Sequence, residues 1–365
     1  MTKYSLTAPA AGVTLGLDTF GDVLADDHGA PVSHAETIRG LVEHGVLADQ
    51  AGLDFFGIGE HHTADMPLSA PDVVLSAIAA KTSRIRLGSA VTVLSSDDPV
   101  RVFQRYSTLD ALSHGRAEVI LGRGSSTESF PLFGYDLADY DELFEEKVDL
   151  FSRLLEEKPV TWSGRMRPAL TGQEVVPRTE AGPIPAWIGV GGSPESVLRT
   201  AKYGMSLMLA IIGGPSSRFR PFAELFREVQ RRLDKPRRAI GVHSPGHVAD
   251  TDEAAREELY PHYVEVLTRV SRQRGFRAPT RETFEQEVSG HGSWYVGSPE
   301  TVARKIAATL KTLGASRFDL KYGLGGVPRG AVLRNIELYG TRVAPLVREL
   351  VAADRNTEEK EGSKS

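Results

Sequence analysis

The sequence predicts an α/β fold, a (β/α)8 TIM barrel with insertions after strands 4 and 7. Short apolar runs alternate with amphipathic helical segments at a regular stride along the chain. We count eight strand–helix repeats, whereas a doubly wound sheet would more often use five or six strands. A doubly wound sheet would also place a Gly-x-Gly-x-x-Gly turn after its first strand, and the sequence has none there.

The first half of the chain contains four of these repeats, and two of its helices have a clear first residue. Ser33, with Glu36 three residues later, forms a capping box for the first helix. Asp98 is a predicted N-cap, with Pro99 at the first helical position. The predicted order is strand Val13–Leu17, helix Ser33–Ala51, strand Leu53–Phe56, helix Ser69–Ile78, strand Ile85–Val93, helix Asp98–Leu112, strand Ala117–Leu121 and helix Asp139–Glu157.

The second half keeps the stride with two interruptions. Its density of Gly, Pro and Thr predicts a loop or hairpin insertion over residues 159–185, and residues 272–296 are predicted to be irregular. We expect one domain over residues 1–353 and a disordered, charged tail over residues 354–365. The remaining predicted elements are strand Ala186–Val190 and its helix, strand Met205–Ile212, helix Arg218–Leu233, strand Ala239–Val248, helices starting near Asp252 and Ser298, strand Arg317–Tyr322 and a helix ending near Val351.

Composition excludes several classes of protein. The 365 residues are 41% hydrophobic, enough for a sizeable core, and a net charge of -5 gives no sign of a nucleic-acid partner. Without cysteine, disulfides, thiolate catalysis and zinc–sulfur sites are excluded. Residues 1–10 lack the apolar core of a signal peptide, and the longest apolar run, Met205–Ile212, is too short to cross a membrane. We therefore expect a soluble, cytoplasmic protein that binds neither nucleic acid nor membranes.

The second strand ends in a cluster of ionisable side chains, Glu60, His61 and His62. In a parallel barrel, ligands bind at the carboxyl ends of the strands, so this cluster marks a candidate active site. A polar surface turn would have the same composition. A metal-dependent hydrolase that also uses His243 is a further interpretation, but adjacent histidines point apart along an extended chain and would rarely share one metal.

Two segments that follow later strands suit an anion. Gly191-Gly192-Ser193-Pro194 begins a helix, where free N–H groups and the helix dipole favour a phosphate by up to roughly 2 kcal/mol. Arg123, between two glycines, offers charge-assisted hydrogen bonds. However, the tetrapeptide Gly-Ser-Pro-Glu occurs twice, at residues 192–195 and 297–300, and barrels often bind phosphate after strands seven and eight. The residues alone leave open which copy holds an anion, and a capped helix and a surface ion pair would explain the same residues.

Several segments, taken together, resemble the bacterial luciferase-like flavin monooxygenases. They are Phe55–His62, Arg84–Leu94, Asp98–Arg101, Leu109–Glu118, Gly122–Gly124, Pro185–Glu195 and Val343–Pro345. None is specific alone, but their order and spacing are. The resemblance implies a flavin-binding barrel, usually a homodimer, that takes reduced FMN from a transiently bound flavin reductase and uses it with molecular oxygen on a small organic substrate.

The resemblance also implies roles for individual residues. His61 would lie beside the flavin and manage a proton, and the Ala90–Val91 peptide bond would be cis. Gly122 stands where luciferase itself has a reactive cysteine, so light emission and an aldehyde substrate are not implied. The first Gly-Ser-Pro-Glu copy would hold the FMN phosphate. The implied cofactor-binding residues, for ring and phosphate together, are Ala90, Val91, Thr92, Gly122, Arg123, Gly191, Gly192, Ser193 and Ser196.

Two alternatives on the same barrel stay open. One is a deazaflavin-dependent reductase that transfers hydride without oxygen, and the other is a flavin-binding protein without catalytic activity. The substrate pocket is expected to come from residues 125–136, 159–185 and 272–296, and the sequence does not identify the substrate. FMN is the predicted cofactor, and no metal is predicted.

Overall fold

Eight parallel strands close on one another in the computed structural model, which describes residues 12–124, 127–180, 182–275 and 277–362. The strands in chain order are β1 (Thr14–Thr19), β2 (Phe55–Ile58), β3 (Arg86–Ser89), β4 (Thr92–Val93), β5 (Ala117–Gly122), β6 (Val160–Trp162), β7 (Leu170–Gln173), β8 (Ala186–Val190), β9 (Ser206–Ala210), β10 (Ile240–Val248), β11 (Tyr295–Gly297) and β12 (Arg317–Lys321). The barrel consists of β1, β2, β3, β5, β8, β9, β10 and β12, and β12 pairs with β1 to close it. The predicted TIM barrel is confirmed.

Helices surround the barrel and start where the sequence predicts them. Ser33 accepts a hydrogen bond from the N–H of Glu36, whose carboxylate accepts from the N–H of Ser33, so the capping box is formed. Asp98 likewise accepts from the N–H groups of Val100 and Arg101. The helices are α1 (His34–Gln50), α2 (Pro71–Ala79), α3 (Pro99–Leu112), α4 (Ser129–Phe133), α5 (Tyr140–Leu154), α6 (Pro194–Lys202), α7 (Arg220–Arg232), α8 (Asp252–Arg274), α9 (Arg281–Val288), α10 (Pro299–Leu313), α11 (Arg329–Leu338) and α12 (Ala344–Gly362).

The barrel interior is filled by a small apolar cluster and a buried ionic group. Phe55, Ile120, Trp187 and Met208 form the cluster. The guanidinium of Arg317 lies 3.9 Å from the ring centroid of Phe55 and 4.7 Å from that of Trp187. A cation over aromatic rings is stabilised by their negative faces, most strongly when it is removed from water.

Two carboxylates neutralise Arg317 inside the barrel. Its Nε donates to both oxygens of Asp319, at 3.0 and 2.9 Å, and its Nη1 donates to Glu118. Burial raises the pKa of Asp319 to about 6, although the charge of Arg317 opposes this shift. Because each of the three charged groups has a partner, the cost of taking them out of water is partly offset.

Both segments predicted as insertions contain regular structure. Residues 159–185, for which the sequence predicted a loop or hairpin, include the antiparallel hairpin of β6 and β7. The prediction that residues 272–296 are irregular is wrong, since they contain α9 and most of β11. Helix α9 starts at a capping box of Thr280 and Thr283, and β11 extends the sheet beside β10. The eight-residue α9 and the three-residue β11 are too short for hydrophobic periodicity in the sequence to reveal them.

The third strand is interrupted where the sequence predicted one continuous run. β3 ends at Ser89, and β4 pairs with β5 after the interruption. The peptide bond between Ala90 and Val91 is cis, as the family resemblance predicted.

The C-terminal helix is longer than predicted. A π-helical turn at Tyr339–Val343 leads into α12, which continues to Gly362, whereas the sequence predicted a disordered tail from Asp354. The added residues include good helix formers such as Glu and Lys, which readily extend a helix that is already formed. Across the described residues, every helix is too short or too polar to traverse a lipid bilayer.

Candidate functional site

A cavity of about 320 Å³ opens at the carboxyl ends of the barrel strands. Residues in the barrel strands or in the segments that follow them line it, and His243 lies within β10 and Asp319 within β12. Several predicted site residues meet there although they lie far apart in the chain. Those that line the cavity are His61, Ala90, Val91, Gly122, Arg123 and Gly191. Thr92, Gly192, Ser193 and Ser196 are not among its lining residues, and Ser125 lies outside the described residues.

The three ionisable residues after β2 have different surroundings. Glu60 and His62 pair with each other, with Oε1 of Glu60 3.0 Å from Nε2 of His62. His61 lies instead near Glu128, with 3.8 Å between Nδ1 of His61 and Oε1 of Glu128, beyond hydrogen-bond distance. Its Nδ1 is buried and has no hydrogen-bond partner among the described residues. His61 therefore has a ring nitrogen available, whereas His62 is held by Glu60.

Glu60 also fixes the backbone that follows β3. Its N–H donates to the carbonyl of Val91 at 3.0 Å, and its Oε2 accepts from the N–H of Val93 at 2.9 Å. Burial raises the pKa of Glu60, while the hydrogen bonds from Val93 and His62 oppose the shift. Glu60 is thus a positioning residue, which links the second and third barrel strands at the cavity wall.

Glycines surround the Ala90–Val91 segment on the cavity side. A Cβ on Gly122 would lie 2.4 Å from Cγ2 of Val91, and one on Gly189 would lie 3.2 Å from its Cγ1. A Cβ on Gly59 would lie 2.8 Å from the carbonyl oxygen of Ala90. Any side chain at Gly59 or Gly122 would push this segment aside. The glycines therefore let it pack closely and leave one smooth apolar wall.

Thr92 lies in β4, directly after the Ala90–Val91 segment. Oγ1 of Thr92 is 3.2 Å from the hydroxyl of Tyr106 in α3, and the side chain is buried. The cavity lining includes Ala90 and Val91 but not Thr92, so the role of Thr92 beside a flavin stays a prediction.

Arg123 extends from the end of β5 over the ring of Tyr140. Its guanidinium carbon is 5.2 Å from the ring centroid, and its Nη1 donates to Oδ1 of Asp141 at 2.7 Å. The Asp141 side chain is 76% exposed, so this ion pair is weak and readily exchanged for another anion. Arg123 also helps to lower the pKa of Glu195, after the larger effect of the Ser193 hydrogen bond, which places its charge near the start of α6.

The start of α6 presents open backbone. Gly192 has φ of +118°, a conformation that residues with a side chain rarely adopt, and no heavy atom lies within 4 Å of a Cβ built on Gly191. Ser193 caps the helix by accepting from the N–H of Ser196 at 3.3 Å. Ser196 itself is buried, with Oγ 3.5 Å from Nη1 of Arg199.

The second Gly-Ser-Pro-Glu copy is filled by a carboxylate of the protein itself. The Asp252 side chain accepts from the N–H of Ser298 at 2.7 Å and from Oγ1 of Thr301 at 3.0 Å. A Cβ on Gly297 would lie 2.7 Å from the same carboxylate. An anion at this helix start would meet a negative charge in its place.

The pair of Asp18 and His243 is the main feature that sequence reasoning missed. Nδ1 of His243 is 2.7 Å from Oδ2 of Asp18, and both residues are buried at the cavity. Burial alone would lower the pKa of His243, but the charge and hydrogen bond of Asp18, helped by Asp319, raise it. Asp18 directly follows the first predicted strand and His243 lies within the seventh, so the sequence assigns both to the barrel, which is a usable signal. Only closure of the barrel brings them together.

The arrangement of carboxylates and imidazoles does not support the metal-dependent hydrolase. Glu60 binds His62, Asp18 binds His243, and His61 is beyond hydrogen-bond distance of Glu128. Within the ranges that the structure describes, no three His, Asp or Glu side chains are grouped so that they could hold a metal ion.

Comparison with known proteins places these features in a family. The family model described as luciferase-like monooxygenase matches residues 19–317. Limonene 1,2-monooxygenase of Rhodococcus erythropolis is 27% identical over 320 residues, which are 84% of this chain and 79% of that protein.

Solved structures of low sequence identity share the fold. The oxygenating constituent of 3,6-diketocamphane monooxygenase from Pseudomonas putida, in complex with FMN, has a TM-score of 0.72 at 16% identity, covering 92% of this chain and 98% of that one. An F420-dependent secondary alcohol dehydrogenase in complex with an F420-acetone adduct has a TM-score of 0.71 at 17% identity, covering 92% of this chain and 99% of that one.

Proposed function

The chain belongs to the luciferase-like monooxygenase family, and on that premise we propose that it is an oxidoreductase that uses reduced FMN and molecular oxygen on a small organic substrate. The observation that carries the proposal is the cavity, which joins an apolar wall at Ala90 and Val91 to a cation, Arg123, and the open start of α6. FMN has a flat ring system and a phosphate group, which match these two parts of the cavity.

The residues present fit FMN at its phosphate end. Backbone N–H groups at Gly192 and Ser193, the dipole of α6 and the guanidinium of Arg123 would hold the phosphate. The positive φ of Gly192 and the space beside Gly191 allow an anion to approach the backbone closely. At the start of α10, the N–H of Ser298 already donates to Asp252. This favours the first Gly-Ser-Pro-Glu copy as the phosphate site.

The residues also fit the ring of FMN. The Ala90–Val91 segment, held by Glu60 and flanked by glycines, offers an apolar surface on one wall of the cavity. Ile120 and Met208 line the cavity as well and exclude water from it. When bound, reduced FMN would supply the electrons that activate oxygen.

The chain's own contribution would be orientation and proton handling. His61, whose Nδ1 is buried and has no hydrogen-bond partner in the part of the chain that the structure describes, is the residue that we assign to hold or move a proton beside the cofactor. Glu60 and His62 would fix the wall rather than react. We further infer from the family that a separate flavin reductase delivers the reduced cofactor and that the protein forms a homodimer.

A cofactor titration followed by oxygen uptake tests the proposal. The full-length protein is titrated with FMN, riboflavin and F420, and the FMN-loaded protein is then reduced and supplied with oxygen and candidate substrates. We expect FMN to bind more tightly than riboflavin and F420, and oxygen to appear in a product. Equal affinity for riboflavin would overturn the phosphate site, tighter binding of F420 would indicate a hydride-transfer reductase, and cofactor binding without any product would indicate a binding protein.

A further inference from the structure

Two histidines that line the cavity, His61 and His243, contact the same aromatic ring. The ring centroid of Phe20 lies 4.9 Å from that of His61 and 5.7 Å from that of His243, and the latter two rings are stacked. His61 has a loose acidic neighbour in Glu128, whereas His243 has a tight hydrogen bond to Asp18. Among the described residues that line the cavity, His62 is a third histidine, held by Glu60, and His243 is the one to which the proposed function gives no role.

The Asp18–His243 pair directs one ring nitrogen to the cavity. Because Nδ1 of His243 is engaged by Asp18, Nε2 on the opposite side of the ring is the nitrogen left for a ligand. Oδ1 of Asp18 is buried and lacks a hydrogen-bond partner among the described residues. Asp18 lies on the Nδ1 side of the ring, so a ligand O–H group would donate to Nε2, and the Asp18 carboxylate would favour the imidazolium that results.

The charges around the pair disfavour an anionic ligand. Asp319 faces His243 from β12 and is buried, while Lys321 on the same strand binds Asp22 at 2.7 Å and lies 5.1 Å from the centroid of Phe20. Glu60 and Glu128 add two more carboxylates to the cavity lining, and Arg123 is the only Lys or Arg among the described residues that line it. A carboxylate, sulfonate or phosphate group beside His243 would bring its charge among these carboxylates, whereas a phenolate formed by proton transfer to His243 would have the new imidazolium as its counter-charge.

Apolar side chains complete the surroundings of the pair. Ile120, Met208 and Ala210 line the same cavity, and the ring of Phe20 contacts both His61 and His243. A ligand at the floor would therefore place hydrocarbon against these side chains and a single polar group against His243.

We propose that the Asp18–His243 pair is the substrate-side proton acceptor, and that it takes the proton of a hydroxyl group on an uncharged, largely apolar substrate such as a phenol. The substrate O–H bond breaks, its electron pair stays on oxygen, and the proton is bound by Nε2 of His243. Asp18 is a positioning residue that holds the ring and stabilises the imidazolium. This inference rests on the proposed function, because it assigns His61 to the cofactor and His243 to the substrate.

Fluorine NMR of a phenol probe tests the pair directly. The FMN-loaded, full-length protein is titrated with para-fluorophenol, whose chemical shift reports its ionisation, and with para-fluoroanisole, its methyl ether. We expect the phenol to bind more tightly than the ether and to be ionised at a lower pH than in solution. His243→Gln should remove the ionisation shift and weaken binding of the phenol by about tenfold or more. Asp18→Asn should move the ionisation of bound phenol to higher pH, because the imidazolium loses its counter-charge.

His247→Gln is the matched control. His247 is a buried histidine on the same strand, paired with Glu258 at 2.8 Å but outside the cavity lining. The His247→Gln variant should bind the probe with the same affinity and ionisation as the parent protein. Unchanged probe behaviour in His243→Gln or Asp18→Asn, or equal affinity for phenol and ether in the parent, would overturn the inference. Failure of His243→Gln to fold leaves the Asp18→Asn comparison to decide.

Repeating the titration without FMN separates this inference from the proposed function. Failure of the protein to bind FMN would contradict the proposed function, whereas the probe would still report on the pair. Conversely, normal FMN binding with a probe that ignores His243 would overturn only the substrate-side assignment.

Discussion

The backbone N–H of Ser298 donates to a carboxylate oxygen of Asp252 at a distance of 2.7 Å. This bond distinguishes two helix starts that have the same four residues, Gly-Ser-Pro-Glu. One helix start holds the carboxylate of Asp252, whereas at the other the Ser193 hydroxyl donates to Glu195 of its own helix at 2.7 Å. The difference lies in a residue that is remote from both copies in the sequence.

Arg123→Ala is expected to weaken FMN binding by about ten- to a hundredfold, the range of a charge-assisted hydrogen bond to phosphate. Riboflavin affinity should not change, because riboflavin lacks the phosphate. The loss should shrink at high salt, since mobile ions screen the charge pair. Fluorescence titration with both flavins at two ionic strengths measures each effect.

Arg165→Ala provides the control for this experiment. Arg165 is exposed, pairs with Glu142 of α5 at 2.9 Å and does not line the cavity. The substitution therefore removes an arginine that lies outside the cavity lining. FMN affinity should be unchanged in this variant. Loss of FMN binding on substitution of Gly297, with normal binding in Arg123→Ala, would show that the phosphate lies at the second copy.

His61→Gln is expected to keep FMN affinity within about tenfold, or roughly 1.4 kcal/mol, while product formation falls by about a hundredfold or more. Glutamine retains most of the side-chain volume but cannot carry a proton between groups. Coupled oxygen uptake with product analysis makes the measurement, using a substrate found by screening.

The matching His62→Gln variant should behave differently. It removes the hydrogen bond to Glu60 and should lower the free energy of unfolding by about 1 kcal/mol, with a smaller effect on turnover. A fully active His61→Gln protein beside an inactive His62→Gln protein would reverse the two roles.

Gly122→Ala is expected to destabilise the fold by about 1–3 kcal/mol, because its Cβ would lie 2.4 Å from Cγ2 of Val91. Val91→Ala in the same chain should restore part of the loss, giving a coupling energy in the range of about 0.5–3 kcal/mol. Chemical denaturation of the single and double variants provides the cycle. Gly191→Ala, where a Cβ would meet open space, should be almost neutral for stability.

His44 is expected to make the protein less stable in acid. Burial lowers its pKa from 6.5 to about 4, so the unfolded chain binds a proton at a pH where the folded protein does not. The stabilising effect of this group is present above pH 6.5 and is lost as the pH falls towards 4, by up to about 3 kcal/mol. His44→Gln should flatten this part of the stability profile, measured by denaturation at several pH values. An unchanged slope would show that other groups cause the acid sensitivity.

The sequence was sufficient to predict the barrel because its signal is distributed over the whole chain. A parallel strand covered by helices on one side and core on the other is a short apolar run, and eight such runs recur with helices between them. Local chemistry was also predictable, as at Ser33 and Asp98, whose caps depend on neighbours three residues away.

Contacts that depend on several strands at once could not be predicted from the sequence. Asp18 and His243 are 225 positions apart and meet because β10, β12 and β1 are consecutive in the closed sheet. The resemblance marked Ala90, Val91 and Thr92 together, but it did not show that Thr92 lies outside the cavity lining. The FMN roles of Arg123, Gly192, Ser193 and Ser196 stay predictions until a cofactor titration tests them.

The inner end of the cavity is closed by the ionic group of Arg317, Asp319 and Glu118. Together with Phe55 and Trp187 it fills the barrel beneath the cavity, and all five residues are buried. Small molecules therefore cannot pass along the barrel axis and must enter and leave at the rim. A flavin whose phosphate lay at that rim would lie beside this route. Cofactor, substrate and product would then share one opening, which would set the order in which they bind and dissociate.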